Sequence, residues 1–292
     1  VFDPLLTFGW AGVLAALWIA LCVGSFLNVV IYRYPLMLRR QWEVDLREIL
    51  EEPDEAAAAA ASERFNLATP RSRCPTCGNQ IKAWQNIPIV SWLLLKGRCG
   101  ACGASISIRY PAVELLTGLA TLVVLGAFGF TWLGLAAAVY TWVLIVATFI
   151  DFDTQLLPDQ LTLPLLWLGI LVNFTDGFGA GAIVDLESSL IGAMAGYLFL
   201  WSTYWGFKLI TGREGMGYGD FKLLGAVGAW LGYQLLPGVI LIAAITGLVY
   251  AAITFARGKR TTAQPIPFGP FLAVAGWVCL VNRDTVLSFF AS

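Results

Sequence analysis

Residues 132–159 read WLGLAAAVYTWVLIVATFIDFDTQLLPD, and this stretch decides the fold. Its first nineteen residues carry no charge, and its last nine hold Asp151, Asp153 and Asp159. A bilayer crossing needs about 20 mostly apolar residues. The stretch therefore reads as a membrane helix that delivers carboxylates to one face of the bilayer. Working outward, seven further apolar runs have comparable character: 8–30, 112–129, 160–175, 187–209, 221–235, 238–256 and 268–288. The run at 221–235 is the shortest.

Composition agrees. Of 292 residues, 58% are hydrophobic and 13% are charged, against about 25% charged in an average soluble domain. Whole-chain readings as a soluble enzyme, a disordered chain, a collagen or a secreted disulfide scaffold are excluded. The fold class is an all-α polytopic membrane protein with about eight transmembrane helices. Very short breaks at Gly129-Phe130 and near Pro237 predict tight helical hairpins, since Gly and Pro end helices. Gly192 with Gly196, and Gly228 with Gly232, place small residues one turn apart, where helices can approach closely.

Lys and Arg orient the chain. With the N-terminus outside, 17 of the 18 basic residues fall on one side, eleven of them between Arg33 and Arg109. Only Arg283 falls opposite. This predicts a periplasmic N-terminus, an even number of spans and a large cytoplasmic loop at 33–110. The first apolar run is long and lacks a basic leader, so a cleavable signal sequence of the usual form is not expected. The domains are then 1–32, a first transmembrane helix; 33–110, a cytoplasmic domain; and 111–292, seven further helices. Net charge is −1, and no basic stripe with interleaved aromatics suggests nucleic acid as a partner. The partner that composition implies is the lipid bilayer.

Two CxxCG elements stand in the loop, Cys74-Pro-Thr-Cys77-Gly78 and Cys99-Gly-Ala-Cys102-Gly103. Four thiolates in two such turns suit tetrahedral Zn²⁺, and each glycine permits the turn that aims both sulfurs at one ion. With four protein ligands the site is closed, hence structural. A reducing cytoplasm disfavours disulfides there. Cys22 and Cys279 are isolated in apolar runs and read as small buried side chains. Trp42, Leu46, Ile49 and Leu50 have helical spacing, and Ala56–Ala61 is either a helical extension or a spacer.

The chain has no histidine. Ser-His-Asp catalysis, Cys-His catalysis and His-ligated metals are therefore excluded. Ionisable residues beside membrane spans are functional candidates, because burying them costs several kcal/mol. Two clusters matter: Ile150-Asp151-Phe-Asp153 through Pro158-Asp159, and Gly215-Met-Gly217-Tyr-Gly219-Asp220-Phe-Lys222. Both fall at the cytoplasmic face. Asp151 and Asp220, brought together across facing helices, can share one proton. One then takes a proton from water while the other serves the scissile carbonyl, which is aspartic peptide hydrolysis. Gly217 and Gly219 would let an extended peptide lie against the segment. Asp159 also reads as the N-cap of the 160–175 run, helped by Pro158. Asp153 is either solvated or functional. Glu114 either caps its helix or binds a substrate charge.

Taken together these residues resemble the type IV prepilin peptidases, bifunctional leader peptidase/N-methyltransferases of the GxGD aspartyl protease group. The resemblance rests on Gly24-Ser-Phe-Leu-Asn28 through Arg33, Arg73-Cys74-Pro-x-Cys77-Gly, Trp84-x-Asn86-Ile-Pro88 and Gly97-Arg98-Cys99. It continues through Arg109-Tyr-Pro-x-x-Glu114, Ile150-Asp151, Leu157-Pro158-Asp159, Gly217-Tyr-Gly219-Asp220-x-Lys222 and Pro267-Phe-Gly269-Pro270. It spans the chain from the first run to the last. Tyr32 and Thr154 stand where members of the family often have histidine, and the stretch 43–63 looks like an insertion.

The resemblance implies an enzyme of the bacterial inner membrane with Asp151 and Asp220 as catalytic residues. Its implied substrates are type IV prepilins and type II secretion pseudopilins, cleaved after a Gly, with the new N-terminal residue then methylated from S-adenosylmethionine. Lys222 is expected to hold the dyad's charge or a substrate glutamate. Spacing does not locate the methyl-donor site, and Gly97, Arg98 and Asn28 are its candidates; Asn28 also reads as an interhelical hydrogen-bonding residue. The alternatives are a peptidase without methyl transfer, a transporter with a zinc module, and a scaffold of the assembly machinery. Oligomeric state is not read from the sequence.

Overall fold

The computed structural model describes residues 9–50, 65–179, 181–258 and 266–291. Most of the 43–63 insertion, including its alanine run, lies outside the described residues, as do Lys259 and Arg260. Among the described residues the chain is helical, and extended pairing is confined to the isolated bridges Arg73–Gln80 and Arg98–Ser105. It divides into two compact units at Leu122 and Val123.

In the first unit, α1 (Gly9–Ile49) runs for 41 residues and is not ended by Pro35. That is about 60 Å at 1.5 Å per residue. The first apolar run and the amphipathic stretch after it are thus one continuous rod, where two elements were expected. Between α1 and α3 (Arg109–Phe128) come a 3₁₀ turn at Ala83–Asn86, the short α2 (Val90–Leu94) and the two cysteine elements. Glycines let α1 and α3 meet. A methyl on Gly24 would stand 2.8 Å from Glu114 Cα, and one on Gly118 would stand 2.9 Å from Leu21 Cδ2.

The second unit holds α4 (Trp132–Thr154), α5 (Asp159–Phe174), α6 (Leu186–Thr211), α7 (Tyr218–Leu231), α8 (Leu236–Ala256), α9 (Gly269–Val281) and α10 (Arg283–Ala291). Its axis is α7, buried from Asp220 to Leu231 except at Lys222. Small residues make this possible: at Gly192 and Gly228 the backbones of α6 and α7 touch with no room for a side chain, and Gly196 lies against Leu224 O. Trp230 fills the centre, donating from Nε1 to Leu165 O at 2.8 Å and lying tilted at 42° against the Tyr140 ring, centroids 4.8 Å apart. Asn173 ties the far ends of the helices together. It donates to Ala229 O at 2.9 Å and accepts from the Ile183 and Val184 amides at 3.0 Å each.

The breaks between spans differ from expectation, and the count of eight is not reached by length and composition alone. Among the described residues, four helices suffice by length and composition to cross a membrane, Gly9–Arg47, Arg109–Phe128, Trp132–Thr154 and Tyr233–Ala256, or five if the bent pair α9 and α10 is one span. The run at 268–288 is not one rod, because α9 and α10 meet at a 96° bend. Asn282 ends α9 there, turning its side-chain amide onto Val278 O at 3.1 Å. Nor does Pro237 end a helix. It sits in the first turn of α8, where its missing N–H is not needed, and the break is made at Gly232, with φ +79°.

Candidate active site

Asp151 lies in the last turn of α4, which closes when Gln155 takes a left-handed conformation and donates its N–H to Asp151 O at 2.9 Å. The side chain is 4% exposed, and its Oδ2 has no hydrogen-bond partner among the described residues. Asp220 is the third residue of α7, whose N-cap is Gly217. There a carboxylate faces the unpaired N–H groups of the helix start. It is 7% exposed. Leu157 lies beside Gly219, the residue before Asp220, and shares with Asp151 Oδ2 the space at Gly269, so the two aspartates are neighbours through one side chain. Asp153 faces outward.

Three helix starts converge on this pair. Besides α7, α9 begins at Gly269, where a methyl group would stand 2.6 Å from Asp151 Oδ2. Sequence reasoning assigned Gly269 no role; the Pro-Phe-Gly-Pro turn that carries it was the available signal. The third start is that of α5. Asp159 is its first residue and not its cap, because Pro158 occupies the N-cap with extended backbone. The Asp159 carboxylate instead accepts from Lys222 Nζ at 2.5 Å. Lys222 is thereby engaged by Asp159 and not by the dyad. The room at Gly219 is taken by the chain itself, since a methyl there would meet Leu157 Cβ at 2.5 Å. Gly217 has open space around it apart from Asp220 Oδ2.

In the other unit, the cysteine elements form two matching knuckles. Cys74 N–H donates to Asn79 O and Gly78 N–H to Cys74 O; Cys99 N–H donates to Ala104 O and Gly103 N–H to Cys99 O, all at 2.8–2.9 Å. Gly78 and Gly103 have φ of +68° and +72°, a conformation that glycine alone adopts without strain. All four sulfurs lie within 4.8 Å of one another, with Cys74 and Cys102 at 3.9 Å. Sulfurs about 3.8 Å apart are what a tetrahedral Zn²⁺ with bonds of about 2.3 Å requires, so the donors fit that ion. The amides of Cys77 and Thr76 bring the Cys74 thiol down to about 6, and those of Ala101 and Cys102 lower Cys99.

The remaining candidates in this unit have internal partners. Glu114 is buried inside α3, away from its start, and its Oε2 accepts from the Ile89 amide at 2.7 Å. That bond holds Ile89 at φ +59°. Asn28 donates to Gly24 O at 3.3 Å and Tyr110 O at 3.0 Å, an interhelical bond. Gly97 is covered by the Trp92 indole, where a methyl would stand 2.9 Å from the ring. Of the three methyl-donor candidates, only Arg98 is exposed. Arg33, quoted only as part of a motif, ties α1 to the chain that precedes the first knuckle. Its guanidinium donates to Asn66 O, Leu67 O and Pro70 O.

Comparison with known proteins agrees with both units. Residues 18–128 match the Bacterial Peptidase A24 N-terminal domain, and residues 138–252 match the Type IV leader peptidase family. A "Prepilin leader peptidase/N-methyltransferase" of Stutzerimonas stutzeri is 52% identical over 96% of this chain and 94% of its own. Proteins of the same description from Pseudomonas aeruginosa and Neisseria gonorrhoeae are 47% and 48% identical, covering 98% and 92% of the chain and 96% and 90% of their own lengths. No solved structure matches. On two matched domains and relatives this similar over nearly its full length, the chain belongs to the type IV leader peptidase family.

Proposed function

We propose that this chain removes the leader peptides of type IV prepilins and type II secretion pseudopilins, cutting after a Gly, and then methylates the new N-terminal amine. The observation that carries the reading is that two buried carboxylates from different helices, Asp151 and Asp220, are set about one residue, Leu157, which lies beside Gly219 and shares with Asp151 Oδ2 the space at Gly269. Sharing one proton, the pair activates water with one carboxylate and hydrogen-bonds the scissile carbonyl with the other. The low-dielectric surroundings strengthen both interactions. No histidine or nucleophilic serine is required.

Both aspartates lie at helix ends, which suits cleavage where a substrate's apolar segment meets its charged leader and suits an ion path poorly. The charge asymmetry supports a bacterial inner-membrane protein with a periplasmic N-terminus and with the aspartates and cysteines at the cytoplasmic face. Eight crossings are compatible with the short α7, because an enclosed helix need not present an apolar surface to lipid, and with the short α5, which turns Leu163, Trp167, Leu171 and Phe174 outward. Cys74, Cys77, Cys99 and Cys102 would hold Zn²⁺, which supplies folding free energy to a module with little core. S-adenosylmethionine would supply the methyl group to a deprotonated α-amine, whose pKa near 8 needs modest help.

The test is mass spectrometry of a prepilin incubated with detergent-purified wild type, Asp151→Asn or Asp220→Asn, each with S-adenosylmethionine. Leader loss plus one methyl in wild type, with no cleavage by either variant, supports the reading. Leader loss without a methyl reduces it to a peptidase alone. Cleavage by either variant breaks the dyad.

A further inference from the structure

Leu157 touches more of the site than any expectation gave it. It lies in the link from α4 to α5, two residues after the left-handed Gln155. Its Cβ and carbonyl oxygen fill the space beside Gly219, the residue before Asp220. Its Cδ1 lies 2.8 Å from where a Gly269 side chain would begin, and that same point is 2.6 Å from Asp151 Oδ2. One leucine is thus wedged between the starts of α7 and α9, against the neighbours of both aspartates. Two residues on, Asp159 closes the link by its 2.5 Å pair with Lys222 on α7.

We propose that Leu157 is the spacer that sets the separation of the Asp151 and Asp220 carboxyl groups, and that the Asp159–Lys222 pair is the latch that keeps it seated. These are positioning residues, and the inference rests on reading the aspartates as the working pair. The wedge is apolar and shares the space at Gly269 with Asp151 Oδ2, an oxygen with no hydrogen-bond partner among the described residues. Without it, α7 and α9 are free to close and the carboxyl groups to approach. The charged and titratable residues of the packed elements near the site are Asp151 and Asp153 on α4, Asp159 on α5, Tyr204 and Lys208 on α6 with Glu214 in the loop after it, and Tyr218, Asp220 and Lys222 on α7. Helix α9 contributes none.

The test is steady-state cleavage of a prepilin by the full-length enzyme in detergent, measured across pH. Leu157→Ala should lower kcat by about 100-fold, the cost of a misplacement near 1 Å, with KM little changed. The two limbs of its kcat–pH profile should move apart, because closer carboxyl groups titrate as a more strongly coupled pair. Leu157→Met, which conserves volume, should restore rate and profile. Asp159→Lys and Lys222→Asp should each lower kcat, and the double variant should recover above either. A fall in kcat with an unmoved profile would make Leu157 a packing residue and overturn the inference, as would wild-type behaviour of Leu157→Ala. Cleavage by Asp151→Asn or Asp220→Asn would instead overturn the underlying reading, a result distinct from any given by the Leu157 variants.

Discussion

The aspartate site and the cysteine site solve one problem, holding four or fewer side chains in register, by opposite means. The aspartates are fixed from outside themselves. Three helix starts meet over glycines, and the helices behind them are locked by Trp230, Asn173 and the α6–α7 glycine contacts. The cysteines are fixed by their own backbone. Each knuckle closes through two local hydrogen bonds and one glycine at positive φ. Around them only Cys74, Pro88, Ser91 and Gly97 are buried between residues 72 and 105. A packed site keeps its geometry when a ligand is removed. A knuckle site depends on what binds it.

The largest effect that would break this contrast is catalytic. Asp151→Asn or Asp220→Asn is nearly isosteric, so the helices should stay folded while prepilin cleavage falls by about 10⁴-fold, the upper range for a lost acid–base group. Circular dichroism alongside the cleavage assay checks both halves. Loss of helicity would mean that the carboxyl groups build the site as well as use it.

Next, read on stability and not on rate, is the metal. Structural zinc contributes about 10 kcal/mol or more to small modules. Cys99→Ser, or a strong chelator, should therefore empty the site and open the chain to trypsin at Lys82, Lys96 and Arg98. The second unit should keep its helical signal. Zinc by mass spectrometry and the tryptic map read the outcome, and protection of residues 72–105 without zinc would show a core sufficient by itself.

A third change sharpens the packed side. Gly228→Ala places a methyl against the Gly192 backbone, and overpacking of this kind costs about 1–3 kcal/mol or somewhat more. The thermal midpoint should fall while zinc content is unchanged. The smallest effect concerns the loop before Asp220. The Lys208 ammonium donates to Glu214 at 2.9 Å and holds that carboxyl below the ordinary glutamate range. A depressed folded pKa stabilises above the unfolded value and loses that contribution as pH falls through the folded one. Glu214→Gln should lower the midpoint slightly at pH 7, and the difference from wild type should vanish in acid.

Most of the chemistry was legible in the sequence because it lies in local patterns. Both CxxCG turns, the absence of histidine, and aspartates placed where apolar runs stop can each be read within a few residues. The helical class follows from composition. Legibility failed where a contact is long-range. The short run at 221–235 looked weakest as a span, yet it is the axis of its unit. Its glycines and alanines lower hydropathy because they face protein and not lipid. Likewise Asp159 looked like a helix cap because Pro158 preceded it, while its partner Lys222 lies 63 residues away.

The sequence alone determined that this is a membrane protein with a four-thiol module and carboxylates at the ends of spans, since burial cost and turn geometry act on neighbours in the chain. Only the tertiary structure decided that the starts of α7 and α9 flank the two aspartates, that Gly219 and Gly269 are vacated for Leu157, and that Glu114 and Asn28 hydrogen-bond the backbone of distant segments. Those outcomes depend on side-chain volumes meeting across helices distant in sequence, and no local pattern records which helix will be opposite.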